Sequence, residues 1–151
     1  MRSAIMDYFE IHGLKTLNGV IEVSGAKNAV LPLMAASILN QGKLKISNVP
    51  TLSDSITMSK LLKKMGAEVN FESDNSISVD SSKLDNPFAP YDLVKTMRAS
   101  FYVLGPLLAR FGNAKVSLPG GCAWGPRPVD FHLEGLKALG VKISIENGYV
   151  I

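Results

Sequence analysis

Along the 151-residue chain the spacing of apolar and polar positions changes period several times, and each change marks an element. Val20-Ile21-Glu22-Val23 is a short apolar stretch rich in β-branched residues, and Ser24-Gly25 ends it in a turn. Lys27 to Leu39 reads as a helix and Leu44 to Ser47 as a strand. Asp54 is the expected N-cap of a second helix running to Met65, which Gly66 stops as the residue just past its end. Val69 to Phe71 and Ser76 to Val79 then read as a hairpin, giving the order βαβαββ.

The same order returns. Pro32-Leu33-Met34-Ala35 recurs as Pro106-Leu107-Leu108-Ala109, and Leu62 to Ala67 recurs as Leu136 to Val141. Between these, Gly42 and Lys45-Ile46-Ser47 match Gly112 and Lys115-Val116-Ser117, and Asn75 to Val79 matches Asn147 to Ile151. Four matches in one order with little drift in offset indicate a duplicated supersecondary unit. In the second copy a helix is expected from Asp92, with Leu93, Met97, Phe101, Leu104 and Leu108 forming its apolar stripe and Pro106 kinking or ending it. Strand Ala114 to Leu118 follows, then a long loop, a helix from about Val129 to Leu139, and a hairpin pairing Lys142–Ile145 with Tyr149–Ile151.

Composition narrows the class. With 46% hydrophobic and 19% charged residues the chain is neither disordered, collagen-like nor a disulfide miniprotein. A chain of this length typically buries about 68–70% of its unfolded surface, so neither a metal nor a cofactor is needed to hold it and none is expected. The net charge of +3 is spread out without a block of five like charges, which argues against a nucleic-acid partner and suits an anionic small molecule. Ala29 to Leu39, the longest apolar run, is interrupted by Pro32 and Ser37 and falls short of the ~18 residues of a membrane span. No signal peptide is apparent, Cys122 has no second cysteine to pair with, and the cytoplasm is the expected compartment.

Candidate chemistry concentrates where the two copies differ most, in Pro119-Gly120-Gly121-Cys122-Ala123-Trp124-Gly125-Pro126-Arg127-Pro128-Val129-Asp130. A lone cysteine is usually a small buried hydrophobe. Cys122 instead lies beside glycines, five residues before Arg127 and just ahead of a helix N-terminus, a setting that lowers a thiol pKa. From a reference near 8.5, about 3% is ionised at pH 7, and a fall of roughly 1.5 units would ionise half. Arg127 with the free N–H groups of the helix start suits a phosphate or diphosphate, although a plain helix start with a surface arginine has the same local sequence. Ser24-Gly25-Ala26-Lys27-Asn28 is a glycine turn with a lysine at the helix start that does not meet the phosphate-loop pattern. Lys95, Arg98 and Tyr102 share the polar face of the helix from Asp92, either a cleft lining or a solvated surface. Zinc spacing, HExxH, GxSxG and GxGxxG are all absent.

Ser24-Gly25-Ala26-Lys27-Asn28-Ala29, Asp92 to Ser100, and Gly120-Gly121-Cys122-Ala123 with Gly125 and Arg127-Pro128-Val129-Asp130 together resemble the signature segments of the UDP-N-acetylglucosamine enolpyruvyl transferases, from about Phe9 to Ile151. Trp124, where that family usually has a smaller aliphatic residue, and Tyr102, where some members carry Trp, are departures. The related enolpyruvylshikimate phosphate synthases share the repeat but not the cysteine loop.

The resemblance implies an α/β fold of repeated βαβαββ units, the inside-out α/β barrel of enolpyruvyl transferases, with two of six units present. Residues 1–23 would belong to the family's other domain, 24–86 to the first unit and 87–151 to the second, the remainder being absent. The implied reaction moves the enolpyruvyl group of phosphoenolpyruvate to the 3′-hydroxyl of UDP-N-acetylglucosamine with release of phosphate, the first committed step of peptidoglycan synthesis. By matching motif, Cys122 would be the general acid, also able to form adducts with phosphoenolpyruvate and fosfomycin. Lys27 and Asn28 would meet phosphoenolpyruvate and the reacting hydroxyl. Arg98 would contact the substrates, and Arg127, Pro128, Val129, Asp130 and Phe131 would hold the UDP moiety. The other reading is a substrate-binding module that is catalytically inactive by itself. With neighbouring units missing, exposed apolar patches and self-association are expected.

Overall fold

The computed structural model describes residues 8–13, 16, 18–120 and 128–151. The first unit begins with α1 (Lys27–Ala36), which buries Val30, Leu31, Met34 and Ala35 at helical spacing and tightens into a 3₁₀ turn at Ser37–Leu39. Strand β1 (Lys43–Ile46) follows, then α2 (Ser53–Lys64), β2 (Glu68–Phe71) and β3 (Ile77–Asp80). The sheet order is β1-β3-β2 with both pairings antiparallel, so that Ile77 faces Ile46 on one side and Phe71 on the other. As the middle strand, β3 buries Ile77, Ser78 and Val79 in succession.

The second unit comprises β4 (Phe88–Ala89), α3 (Tyr91–Val94), a 3₁₀ segment Arg98–Val103, α4 (Leu104–Phe111), β5 (Lys115–Ser117), α5 (Asp130–Ala138), β6 (Ile145–Glu146) and β7 (Tyr149–Val150). Its sheet order is β4-β5-β7-β6, with β4 parallel to β5 and the other pairs antiparallel. The β5-β7-β6 set therefore repeats β1-β3-β2, and the duplication expected from the sequence is present in the topology. It extends to backbone detail. At the end of α2 the Gly66 N–H bonds to Lys63 O and the Ala67 N–H to Leu62 O; at the end of α5 the Gly140 N–H bonds to Lys137 O and the Val141 N–H to Leu136 O. Both glycines have positive φ, 104° and 90°, the conformation that ends a helix in a Schellman motif.

Four expectations need correction. Val20–Val23 is not a strand, although its counterpart β4 pairs with β5. Among the described residues nothing pairs with it, and Val20 is 97% exposed; β-branched composition makes a strand only where a partner edge is available. The long helix from Asp92 is three pieces, because Met97 adopts extended angles (φ −147°, ψ 114°) and the Thr96 hydroxyl bonds Leu93 O at 2.9 Å, competing with helix continuation. Pro106, expected to kink or end that helix, sits in the first turn of α4, where its missing N–H leaves no intrahelical bond unmade. Asp54 is not the N-cap of α2. Leu52 occupies that position and Asp54 lies one residue inside the first turn.

One hydrophobic core runs through both units. α1 packs against α2 and against the Arg98–Val103 segment, while α4 packs against the Ser37–Leu39 turn. Arg110 of α4 reinforces the join: Nη1 donates to Ile38 O at 2.9 Å, and Nη2 to Ser81 O at 2.8 Å and Leu84 O at 3.3 Å. No described helix is long and apolar enough to cross a membrane.

Candidate anion-binding site

The turn ahead of α1 is set by a close backbone approach. The Gly25 N–H donates to Asn48 Oδ1 at 2.9 Å, and a Cβ on Gly25 would fall 1.8 Å from Asn48 O, so only glycine fits. This contact brings the α1 start against the connection that leads from β1 into α2. Lys27 and Asn28, the first two residues of α1, therefore stand near Asp54 in the first turn of α2.

Across from these helix starts lies the break between α3 and the 3₁₀ segment. Together they enclose an open cavity of about 630 Å³, with Lys27, Asn28 and Asp54 on the first-unit side and Thr96, Arg98 and Tyr102 on the other. Leu31 and Met97, both buried, contribute apolar surface to it. The Lys27 Nζ is 3.1 Å from Asp54 Oδ2. Arg98 Nη2 donates to Pro128 O at 3.4 Å, a long bond that ties the residue two positions before α5 to the rim of the cavity. Two helix N-termini, each with unbonded N–H groups, and two cations against one carboxylate make the cavity suited to an anion.

Three residues named from the sequence, Lys27, Asn28 and Arg98, are thus brought to one cavity. Lys95 does not line it: its ammonium is 3.2 Å from Asp92 Oδ1 and lies over the Tyr91 ring. Val129 is buried, so its side chain serves packing, and Asp130 opens α5. Phe131 is 88% exposed and lines a second, more apolar cavity of about 380 Å³ with Phe101, His132 and Leu136. Tyr102 lines both cavities. Cys122 and Arg127 lie outside the described residues. Just before that segment Gly120 packs on Lys95; a Cβ there would be 3.2 Å from Lys95 O.

Asp54, Thr96 and Met97 line the site without having been singled out for it. Asp54 looks like an ordinary helix-start residue, and nothing in its neighbourhood along the chain shows that Lys27 comes to meet it. Away from the cavity, the Asp74 carboxyl is held down at about 2 by hydrogen bonds from Lys45 and Ser76.

Residues 11–151 match the family described as EPSP synthase (3-phosphoshikimate 1-carboxyvinyltransferase). Over 145 residues, 96% of this chain, the sequence is 54% identical to a UDP-N-acetylglucosamine 1-carboxyvinyltransferase of Dichelobacter nodosus and 57% identical to that of Acinetobacter baylyi, covering 35% and 34% of those proteins. The chain thus spans about a third of the length of the curated relatives it matches. Among solved structures, the enolpyruvyl transferase NikO from Streptomyces tendae aligns with a TM-score of 0.74 at 27% identity, covering 93% of this chain and 31% of that one. Family match, duplicated topology and fold likeness agree: the chain belongs to the EPSP synthase (3-phosphoshikimate 1-carboxyvinyltransferase) family.

Proposed function

We propose that the chain forms part of a transferase that moves the enolpyruvyl group of phosphoenolpyruvate to the 3′-hydroxyl of UDP-N-acetylglucosamine, in the cytoplasm and at the first committed step of peptidoglycan synthesis. The observation that carries this reading is the convergence of Lys27, Asn28 and Arg98 on one cavity between the two units. The names of the relatives, UDP-N-acetylglucosamine 1-carboxyvinyltransferases, support the choice of acceptor.

The reaction is an addition followed by an elimination. The acceptor hydroxyl gives up its proton to a base and adds to C2 of phosphoenolpyruvate while an acid delivers a proton to the C3 methylene, giving a tetrahedral intermediate. Loss of a C3 proton then expels phosphate from C2 and restores the double bond. Lys27 and Arg98 are assigned to oppose the charge of the phosphate and carboxylate, and Asn28 to hydrogen-bond a substrate oxygen. Cys122 is assigned the proton donation to C3 on its motif; the same thiol, ionised, would form the adducts with phosphoenolpyruvate and fosfomycin. An acid must keep its proton at working pH and a nucleophile must lose it, so the two roles require different thiol pKa values. Arg127, Pro128, Val129, Asp130 and Phe131 are assigned to the UDP moiety.

Phosphate release from the two substrates, measured on a protein carrying the full length of its relatives, tests the assignment. Cys122→Ala should abolish release and Cys122→Asp should retain part of it. Normal turnover by Cys122→Ala would remove the thiol from the mechanism. On the 151-residue chain, calorimetry with each substrate should show binding, and the release assay no turnover.

A further inference from the structure

Lys27 stands where its own helix disfavours it. It is the first residue of α1, at the positive end of the helix dipole, and α1 has no acidic residue in its first turn. Its side chain is half-exposed, with a four-carbon stem free to sample many rotamers. Asp54 answers both problems from another element. It lies at the start of α2, where a negative charge is favoured, and α2 is anchored by the fully buried Met58, Leu61 and Leu62. Its Oδ2 lies 3.1 Å from the Lys27 ammonium as an ion pair, and both side chains line the same cavity.

We infer that Asp54 is a positioning residue: it holds the Lys27 ammonium at the cavity rim, oriented for an anionic substrate group. This deepens the proposed function and rests on Lys27 being a ligand for phosphoenolpyruvate. The carboxylate is not expected to touch the phosphate, which it would repel; it acts through Lys27. Paired with one carboxylate oxygen, the ammonium keeps N–H donors for the substrate and loses less rotational freedom when the anion arrives.

The test uses the full chain, with phosphoenolpyruvate as the probe in calorimetry and Lys27 Hε and Cε resonances as a readout that needs no ligand. Asp54→Asn should weaken phosphoenolpyruvate binding by about threefold to tenfold, and Lys27→Ala by more. The double variant should bind no worse than Lys27→Ala, because Asp54 has nothing to position once the lysine is gone. Asp54→Glu should recover most of the affinity. Without ligand, the two Lys27 Hε protons should be inequivalent in the parent and in Asp54→Glu and collapse together in Asp54→Asn. Unchanged or tighter binding by Asp54→Asn overturns the inference, as do additive losses in the double variant or Hε protons that remain inequivalent in Asp54→Asn. A parent chain with an ordered Lys27 but no phosphoenolpyruvate binding sinks the ligand assignment while leaving the pairing established. Equivalent Hε protons in the parent sink the pairing whatever the binding result.

Discussion

Arg110 Nη2 donates to the backbone carbonyl of Ser81 at 2.8 Å, joining the second unit to the loop that follows β3 of the first. The same guanidinium serves Ile38 O and Leu84 O, and all three acceptor residues are buried. A planar fork with five donors can satisfy three carbonyls from two segments, which an ammonium cannot match in geometry. Arg110→Ala should therefore leave buried carbonyls unpaired and cost about 2–4 kcal/mol. Arg110→Lys should recover only part. Urea unfolding curves of the three proteins decide it, and a loss below about 0.5 kcal/mol in Arg110→Ala would show the clamp to be dispensable.

Gly66 and Gly140 occupy equivalent helix ends, yet their surroundings differ. A Cβ at Gly66 would lie 2.9 Å from Lys83 O, whereas one at Gly140 would meet nothing within 4 Å. Gly140→Ala should cost only the left-handed strain, about 1–2 kcal/mol. Gly66→Ala adds a backbone clash and should cost at least about 1 kcal/mol more. Equal losses in thermal unfolding would contradict the asymmetry.

The exposed pair Lys45–Asp74, 2.8 Å apart, sets a pH dependence. The Asp74 carboxyl is lowered in the folded chain to about 2 from 3.8, first by its hydrogen bond from Lys45, then by that from Ser76. Its contribution to stability is thus present above the unfolded value and is lost as pH falls from about 4 through 2. The Lys45 ammonium is raised above 10.5, chiefly by its hydrogen bond to Asp74, so its share persists below that value and disappears as pH rises beyond it. The difference in melting temperature between parent and Asp74→Asn should be largest between these limits and shrink towards pH 2. A difference that grew on acidification would reverse the assignment.

At the end of the second unit Leu139 is 83% exposed and Ile145 and Ile151 are also open to solvent, beside a cleft of about 820 Å³ that all but Ile145 help to line. Apolar surface left open in this way favours association. Sedimentation velocity should show the chain self-associating in the micromolar range, and Leu139→Lys with Ile145→Lys should shift it towards monomer. A parent chain that stays monomeric throughout would remove that expectation.

Where stereochemistry is local, the fold could be read in advance. Gly66 and Gly140 could be placed at helix ends because only glycine takes positive φ there cheaply. Asn147-Gly148, with φ of 50° and 79°, forms the two-residue turn of the hairpin expected at the end of the chain. The α1 helix and the repeat were equally legible, since helical periodicity depends on neighbours three and four residues away. The stripe from Asp92 misled for the same reason: Met97 keeps the spacing of a helix while its backbone is extended.

The candidate site divides along this line. Lys27, Asn28 and Arg98 were named through the resemblance of their segments to a known family, since their local residue types and spacing fit a plain turn or a solvated face equally well. Their meeting in one cavity, the pairing of Lys27 with Asp54 and the reach of Arg110 to Ile38 depend on contacts between residues far apart in the chain. Val20–Val23, unpaired among the described residues, belongs with them, since a strand exists only if another segment offers an edge. Periodicity and turn chemistry are short-range and are written in consecutive residues. Which helix start faces which cation is settled only when both units share one core, and that packing brought Asp54 to Lys27.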